Sequence, residues 1–172
     1  MLVYGLDSFA GELGHTIIDP EGRLCKCGRK GCLERYASAT GIVITIKELL
    51  ESSKEPSEMR KIKPDLITSK NIFEAAQKGD KLALEAFDYT AKILGRRLSD
   101  AVAITEPEAI ILFGGLALAG DILFIPTKKY LEEYLLPIYK NKIKLIPAKI
   151  TGRNAAVLGA SAMVWKKSSL SS

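Results

Sequence analysis

The sequence of 172 residues is 47% apolar and 26% charged, and its formal net charge is +5. This length and composition fit one domain, or one domain and a fragment, and exclude a wholly disordered chain. No apolar run approaches the ~20 residues that span a bilayer, and the first residues lack the pattern of a secretory signal, so no membrane association is expected.

Residues 11–38 contain the pattern with the clearest chemistry. Cys25, Cys27 and Cys32 follow a C-x-C-x4-C spacing, and His15, the only histidine, precedes them. Three thiolates and one imidazole form the closed tetrahedral ligand set of a structural zinc site, and sulfur ligands favour zinc over magnesium or calcium. The alternative is three unrelated reduced thiols and a solvated histidine. An odd number of clustered cysteines also indicates a reducing compartment, so a cytoplasmic location is expected.

Two glutamates flank the predicted metal ligands. Glu12 lies three residues before His15, and Glu34 lies two residues after Cys32. If zinc fixes these ligands, both carboxylates lie at the rim of the cluster, where they suit the hydroxyl groups of a polyol. A metal-bound imidazole also keeps its second nitrogen free for a ligand. Alternatively, Glu34 is an ordinary residue of a first helical turn and Glu12 is a solvated loop residue.

The middle of the chain is predicted to be mainly helical. Residues 15–19 predict a short strand, and residues 32–52 predict a helical stretch that breaks near Ser38, a good helix cap. Residues 52–68 combine serine, proline and charge and predict a surface linker. Ser69 is then predicted to cap a short helix that ends at Gly79.

Asp80 begins the clearest predicted helix, which extends to about residue 103. Apolar residues recur there at three- and four-residue steps and predict a helix face that packs in the core. These residues are Leu84, Phe87, Ala91, Leu94, Leu98 and Ala101.

The last third predicts a second α/β segment. Residues 110–113 predict a buried strand ending at Gly114 and Gly115, which would let the backbone approach a ligand at the carboxyl end of the strand, or would simply form a turn. Further predictions are a helix over 120–139, an edge strand over 142–150, a terminal helix over 154–165 and a disordered tail over 166–172.

These motifs together resemble the ROK family of repressors, open reading frames and kinases. The resemblance is carried by FAGELGHTIIDPEGRLCKCGRKGCLERYAS, EPEAIILFGGLALAGD and NAAVLGASAMVW, and it extends from residue 1 to about residue 165. It implies an α/β fold: the larger, C-terminal lobe of an actin-like (ribonuclease H-like) ATPase, truncated at its N-terminus and carrying a zinc-binding loop.

The resemblance also assigns roles to individual residues. It implies that Glu12, His15 and Glu34 bind the hydroxyl groups of glucose or a related hexose. It implies that residues 108–121 with Gly114 and Gly115 bind adenosine, although Leu116 stands where many members have a third glycine. The implied zinc ligands are His15, Cys25, Cys27 and Cys32.

Two motifs of the family kinases do not occur in these 172 residues. One is a D-x-G-G-T-like phosphate hairpin, and the other is an Asn-Asp pair whose aspartate is the catalytic base. The resemblance therefore assigns no catalytic residue here and implies roughly the C-terminal half of a kinase, inactive alone because phosphoryl transfer needs positioning and charge stabilisation. ATP and magnesium are expected only in the complete protein. The chain could be part of a longer protein, a split-gene product or a sequence with a mis-assigned start.

Three functions remain open at this stage. The first is the sugar- and zinc-binding lobe of a glucokinase-like hexose kinase, expected to form a homo-oligomer because relatives are commonly dimers. The second is the effector lobe of a ROK repressor, which binds nucleic acid only through a helix-turn-helix upstream. The third is a free-standing zinc module in which Lys26, Arg29 and Lys30 attract the phosphates of a nucleic acid, although the loop has no aromatic stacking residue between these cations.

Overall fold

The computed structural model describes residues 5–7, 9–149, 157–159 and 161–162. This part of the chain is an α/β structure whose complete elements are four helices and two strands, joined by loops and short 3-10 turns, and residues 157–159 and 161–162 are also helical. In chain order the elements are α1 (Ala39–Ser52), α2 (Ser69–Gln77), α3 (Lys81–Thr105), β1 (Ala109–Leu112), α4 (Asp121–Tyr134) and β2 (Lys144–Pro147). No helix in this part is both long enough and apolar enough to cross a bilayer.

Side-chain caps define where the first three helices begin. The Ser38 hydroxyl accepts a hydrogen bond from the Gly41 N–H, as predicted for this cap. The Asp80 carboxylate, at the predicted start of α3, accepts one from the Ala83 N–H. The predicted cap of α2 is wrong by one residue. Thr68, rather than Ser69, accepts from the Asn71 N–H, and the Asn71 side chain accepts in return from the Thr68 N–H. This reciprocal capping box satisfies two backbone donors that the first turn of the helix leaves unpaired.

The main apolar core lies where α1, α2 and α3 meet. Ile42 and Ile46 of α1, Ile72 of α2 and Phe87 of α3 are almost completely buried there. The predicted stripe of α3 is only partly correct, because Leu84 is exposed and the buried face includes Leu82, Ala83 and Ala86 instead.

The segment predicted as a surface linker, residues 52–68, is packed against the helices. Met59 and Ile67 are buried in the main core, and the segment contains two 3-10 turns. Its polar groups also reach α3, since the Ser57 hydroxyl and the Glu58 N–H both donate to the Asp80 carboxylate, at 2.8 and 2.7 Å. Burial opposes ionisation of Asp80, but hydrogen bonds from Ala83, Ser57 and Glu58 outweigh it and hold its pKa below the usual value.

The two strands form a parallel pair in which Ile110 faces Leu145 and Ile111 faces Ile146. Ile110, Leu112 and Leu145 pack on a second apolar cluster formed by α3 and α4. The other face is open in the described structure, where Ile111 is 62% exposed and Phe113 is 59% exposed. The strand predicted over 110–113 is therefore present one residue earlier in the chain, and the prediction that it is buried is wrong.

The helix predicted over 120–139 is shorter in the structure, because α4 ends at Tyr134. Proline disfavours helical backbone at the residue before it, and Leu136, which precedes Pro137, is extended (φ −56°, ψ 146°). Pro137 instead begins a 3-10 turn, Pro137–Tyr139. The predicted edge strand is present as β2. The predicted terminal helix lies largely outside the described residues, and the predicted tail lies entirely outside them.

Helices α3 and α4 pack closely at Gly95. A Cβ atom at this position would lie 2.8 Å from the backbone nitrogen of Leu131 and 2.8 Å from the backbone oxygen of Thr127. The two helices are therefore close enough for backbone contact, and only a residue without a side chain fits between them.

Replacing Gly95 by alanine is expected to force α3 and α4 apart. Overpacking of a core contact typically costs about 1–3 kcal/mol, which exceeds the gain from the better helix propensity of alanine. We expect the free energy of unfolding, measured by urea denaturation, to fall by about 1–2 kcal/mol. The control is Gly115→Ala, where an added Cβ meets no atom within 4 Å. Equal stability of the Gly95→Ala variant and the original chain would contradict this packing.

Candidate functional site

The four predicted metal ligands converge in the structure. His15, Cys25, Cys27 and Cys32 each offer one ligand atom, and these atoms all lie within 4.8 Å of one another. The Cys25 Sγ lies 3.8 Å from the His15 Nδ1, and the Cys27 Sγ lies 3.5 Å from the Cys32 Sγ. Residues separated by up to 17 positions in the sequence therefore meet at one point.

This convergence depends on turns, with little regular secondary structure. His15 ends a 3-10 turn, Leu13–His15, and the strand predicted over 15–19 is reduced to a single antiparallel bridge between Ile17 and Cys32. A second bridge joins Leu24 to Lys30 and closes the tight turn that holds Cys25 and Cys27. Because the Gly28 N–H donates to the Cys25 carbonyl, this turn is locally hydrogen-bonded.

Gly31 is required where the two bridges adjoin. Its φ is +72°, and a Cβ atom there would lie 1.6 Å from the Asp19 carbonyl oxygen. Glycine is the residue that adopts such a backbone without strain and permits this approach. The glycine thus brings Cys32, its neighbour, beside the turn of Cys25.

Arg23 anchors the loop to α1, and its spacing offered no signal for this role. Its side chain is only 9% exposed and forms an ion pair with Glu48. Its guanidinium also donates to the Arg35 carbonyl at 2.7 Å and to the Thr45 hydroxyl at 2.9 Å. It stacks over the ring of Tyr36, 4.3 Å from the ring centroid. One side chain therefore links the loop, the turn after Cys32 and α1.

The donor set and its spacing suit a tetrahedral zinc ion. Zinc–sulfur bonds of ≈ 2.3 Å place tetrahedral sulfur ligands about 3.8 Å apart. The Cys27 and Cys32 sulfurs, 3.5 Å apart, are slightly closer than this value. For one sulfur and one nitrogen ligand the expected separation is about 3.6 Å, close to the 3.8 Å between the Cys25 Sγ and the His15 Nδ1. All four positions are filled by protein atoms, so a bound zinc ion would have a structural role and would not activate water.

The pKa values of Cys25 and Cys27 are shifted in opposite directions. The backbone and side chain of Arg29 both donate to Cys27 and lower its pKa to about 6. For Cys25, the backbone N–H of Cys27 favours the thiolate, but the Glu34 carboxylate, burial and the other two thiols together raise the pKa to about 12. The Cys25 thiol donates to the Glu34 Oε1 at 2.9 Å.

The two predicted sugar-binding carboxylates both lie at the ligand quartet. The Glu12 Oε2 is 3.8 Å from the His15 Nε2, and the Glu12 side chain is 67% exposed. Glu34 lies in the 3-10 turn Leu33–Arg35 and is half-buried, with Gly14 packed beside it. Glu12 thus lies next to His15 and Glu34 next to Cys25, so each carboxylate adjoins one ligand of the cluster.

Two of the three basic residues of the loop are engaged within the chain. Arg29 donates to the His15 carbonyl at 3.0 Å, and Lys30 pairs with Glu21 at 3.4 Å. Both contacts stabilise the fold of the loop. This leaves a weaker basis for the hypothesis of a nucleic-acid module.

The glycine pair lies just after β1, separated from it by Phe113. Gly114 has a φ of +109°, and Gly115 begins the 3-10 turn Gly115–Ala119, which leads into α4. A Cβ atom at either glycine would meet nothing within 4 Å. The carboxyl end of the strand is therefore open to a ligand at both positions.

Comparison with known proteins finds relatives over nearly the whole chain. The model of the ROK family matches residues 1–167. The glucokinase of Thermotoga maritima is 33% identical over 168 residues, which are 96% of this chain and 52% of that protein. The Escherichia coli regulator NagC is 29% identical over 160 residues, which are 93% of this chain and 38% of that protein. The chain thus spans about half the length of its curated glucokinase relatives.

The fold has a close counterpart among solved structures. A ROK family glucokinase from Streptomyces griseus, determined in complex with glucose and AMPPNP, superposes with a TM-score of 0.84 at 30% identity. The match covers 95% of this chain and 54% of that chain. The structure is therefore the α/β fold of ROK sugar kinases, an actin-like ATPase type.

Replacing Arg23 by lysine is expected to loosen the loop, because an ammonium cannot donate to the same set of acceptors as the planar guanidinium. Leaving buried carbonyl acceptors without a donor costs about 1–3 kcal/mol, and we expect a loss of this size in the free energy of unfolding. Glu48→Gln serves as control, since Glu48 is 54% exposed and contributes mainly a screened ion pair. If both substitutions lower the free energy of unfolding equally, the ion pair with Glu48 holds the loop, and the other hydrogen bonds of the Arg23 guanidinium do not.

Proposed function

The chain belongs to the ROK family, and from this premise we propose that it is the sugar- and zinc-binding C-terminal portion of an ATP-dependent hexose kinase of the glucokinase type. The complete protein would transfer the terminal phosphoryl group of ATP to a hydroxyl group of glucose or a related hexose. The observation that supports the proposal is that Glu12 lies next to His15 and Glu34 next to Cys25, so both carboxylates adjoin the His15–cysteine quartet.

In the proposed site, zinc is held by His15, Cys25, Cys27 and Cys32 and supplies a rigid cross-link for the loop. The Nδ1 of His15 faces Cys25, whereas its Nε2 faces Glu12. Zinc bound at Nδ1 would therefore leave Nε2–H as a donor toward the ligand side, the usual arrangement for a metal-bound imidazole. His15 would contact both the metal and the sugar.

A bound metal would also change what Glu34 can accept. The Cys25 thiol donates to the Glu34 Oε1 at 2.9 Å. A cysteine that ligates zinc does so as a thiolate, so zinc held by Cys25 would remove this donor. Glu34 could then accept a hydrogen bond from a sugar hydroxyl, and the metal would in this way influence the sugar site.

The nucleotide is proposed to lie at the other functional element. Gly114 and Gly115, within residues 108–121, would permit close approach of adenosine at the carboxyl end of β1. ATP and magnesium are expected in the complete protein, because the phosphate hairpin and the catalytic base of the family kinases are not among these 172 residues. We expect the chain by itself to bind sugar without turnover. A cytoplasmic location and a homodimer are further parts of the proposal.

A second function is favoured by a specific observation, the match to NagC over 93% of this chain. NagC is described as a DNA-binding transcriptional dual regulator, so the same lobe could bind a sugar effector in a repressor. The DNA sequence upstream of the first codon distinguishes the two functions. An in-frame D-x-G-G-T motif followed by Asn-Asp indicates a kinase, and a helix-turn-helix indicates a repressor.

Replacing Cys27 by serine should release zinc, because the site would retain only three strong ligands and metal binding contributes to folding. We expect elemental analysis to find about one zinc per chain in the original protein and far less in the variant. Lys26→Gln, the adjacent residue outside the quartet, is the control and should keep its zinc. Unchanged zinc content after Cys27→Ser would contradict the proposed ligand set.

Measurements of glucose affinity test whether the carboxylates of Glu12 and Glu34 bind the sugar. Glu12→Gln and Glu34→Gln each remove a charged acceptor of nearly the same shape, and losing one charge-assisted hydrogen bond of about 1.5–3 kcal/mol weakens affinity roughly 10-fold or more. The measurement is calorimetric titration of the zinc-loaded chain with glucose at low and high salt.

Glu21→Gln is the matched control, since Glu21 is an exposed acid of the same loop whose carboxylate pairs with Lys30. It should leave glucose affinity unchanged. Sugar binding should also be insensitive to salt, whereas a steep loss of RNA or DNA binding with salt would indicate the nucleic-acid module. Absence of glucose binding by the zinc-loaded chain would reject the proposed sugar site.

A further inference from the structure

A cavity of about 230 Å³ lies between the metal loop (residues 11–38), α3 and the end of α4. The loop contributes Ile18, Asp19 and Tyr36, and Tyr134 closes the cavity from α4. None of the residues assigned to sugar, nucleotide or metal binding lines this cavity. It is therefore a separate feature of the fold, although it shares a wall with the metal loop.

Part of the cavity wall is aromatic and apolar. Tyr36 is buried and packs at a tilt against Tyr89, with ring centroids 6.4 Å apart. The half-buried side chains of Ile18 and Ile93 complete this surface. Such a wall suits the flat or apolar body of a small molecule, because aromatic faces offer large contact area at low entropic cost.

The α3 wall is positively charged. Lys92 and Arg96 are one helical turn apart and so lie on the same face of α3, and Arg97 adjoins them. Arg97 is already engaged by Asp100 at 2.7 Å and by the Ile17 carbonyl at 3.0 Å. Among the described residues, no carboxylate forms an ion pair with Lys92 or Arg96.

The acidic groups near the cavity do not neutralise this charge. Asp19 is the single carboxylate among the lining residues, and its Oδ1 accepts a hydrogen bond from the Glu21 N–H at 3.1 Å. Arg96 stacks over the ring of Tyr134, 5.8 Å from the centroid, which holds its guanidinium at the mouth of the cavity. Three cations and one carboxylate therefore line a pocket with an aromatic wall.

We propose that this cavity binds a small phosphomonoester with a ring-shaped body. Two cations one helical turn apart suit a dianionic phosphate, and the guanidinium of Arg96 can donate two parallel hydrogen bonds to its oxygens. The ring of the ligand packs on Tyr89 and Ile93. An occupant also contacts Ile18 and Tyr36, so it stabilises the metal loop against α3.

The test is calorimetric titration of the full 172-residue chain with phenyl phosphate, with inorganic phosphate and phenol as separate probes. Phenyl phosphate should bind saturably with one site per chain. Inorganic phosphate and phenol should each bind at least 10-fold more weakly, because each engages only one of the two walls. Arg96→Gln should weaken phenyl phosphate binding about 10-fold, as expected for loss of a charge-assisted contact.

Lys54→Gln is the control, because Lys54 is an exposed lysine outside the cavity. It should leave phenyl phosphate affinity unchanged, and both variants should unfold at the same urea concentration as the original chain. Equal affinity for inorganic and phenyl phosphate would overturn the proposal in favour of unspecific anion attraction. Equal changes in phenyl phosphate affinity in the Arg96→Gln and Lys54→Gln variants would also overturn it. The proposal is also overturned if raising the protein concentration makes the chain self-associate and abolishes phenyl phosphate binding, because a second copy would then cover the cavity.

Discussion

The position of the metal loop depends on Arg23. Residues 16–32 contain two isolated bridges and no extended strand, so hydrogen bonds between backbone segments do not by themselves fix the position of these residues. The buried guanidinium of Arg23 supplies the missing constraint, because it donates to the Arg35 carbonyl and the Thr45 hydroxyl and stacks on Tyr36. A cation buried without partners costs several kcal/mol, so this arrangement is stable only when all these partners are in place. The same condition places His15 and the cysteines within reach of one ion.

Helix α3 connects this loop to the rest of the molecule. Its Arg97 donates to the Ile17 carbonyl, and its Thr90 hydroxyl donates to the Tyr36 carbonyl. At its middle, Gly95 permits direct contact with α4, and further along it packs on the two strands that precede and follow α4. One helix therefore supports both the proposed sugar site and the glycine pair after β1, which explains how two separate elements keep a fixed relation within the fold.

The sequence predicted the parts of the structure that depend on local chemistry. The convergence of His15 and the three cysteines follows from residue type and spacing, and Ser38 was predicted as a cap because a serine hydroxyl can accept from a backbone N–H of the first helical turn. Predictions failed where distant partners decide the outcome. Met59 and Ile67 are buried by packing that a polar, proline-containing segment does not reveal, and Phe113 is exposed although the strand predicted over 110–113 is wholly apolar. Arg23 has no signal of its own, since its role exists only once Tyr36 and α1 lie beside it.

Within the proposed site, metal binding would prepare the hydrogen-bonding groups that the sugar uses, and this would make the two binding events cooperative. The Cys25 thiol donates to the Glu34 Oε1 at 2.9 Å, and the two ring nitrogens of His15 face Cys25 and Glu12. Zinc held by Cys25 and His15 would require a thiolate and a fixed ring, so a Glu34 oxygen would be open to a sugar hydroxyl and Nε2–H would have a defined direction. A hydroxyl-rich ligand then finds acceptors and a donor already oriented, and less free energy is spent on ordering them. A structural ion can in this way raise sugar affinity without touching the sugar.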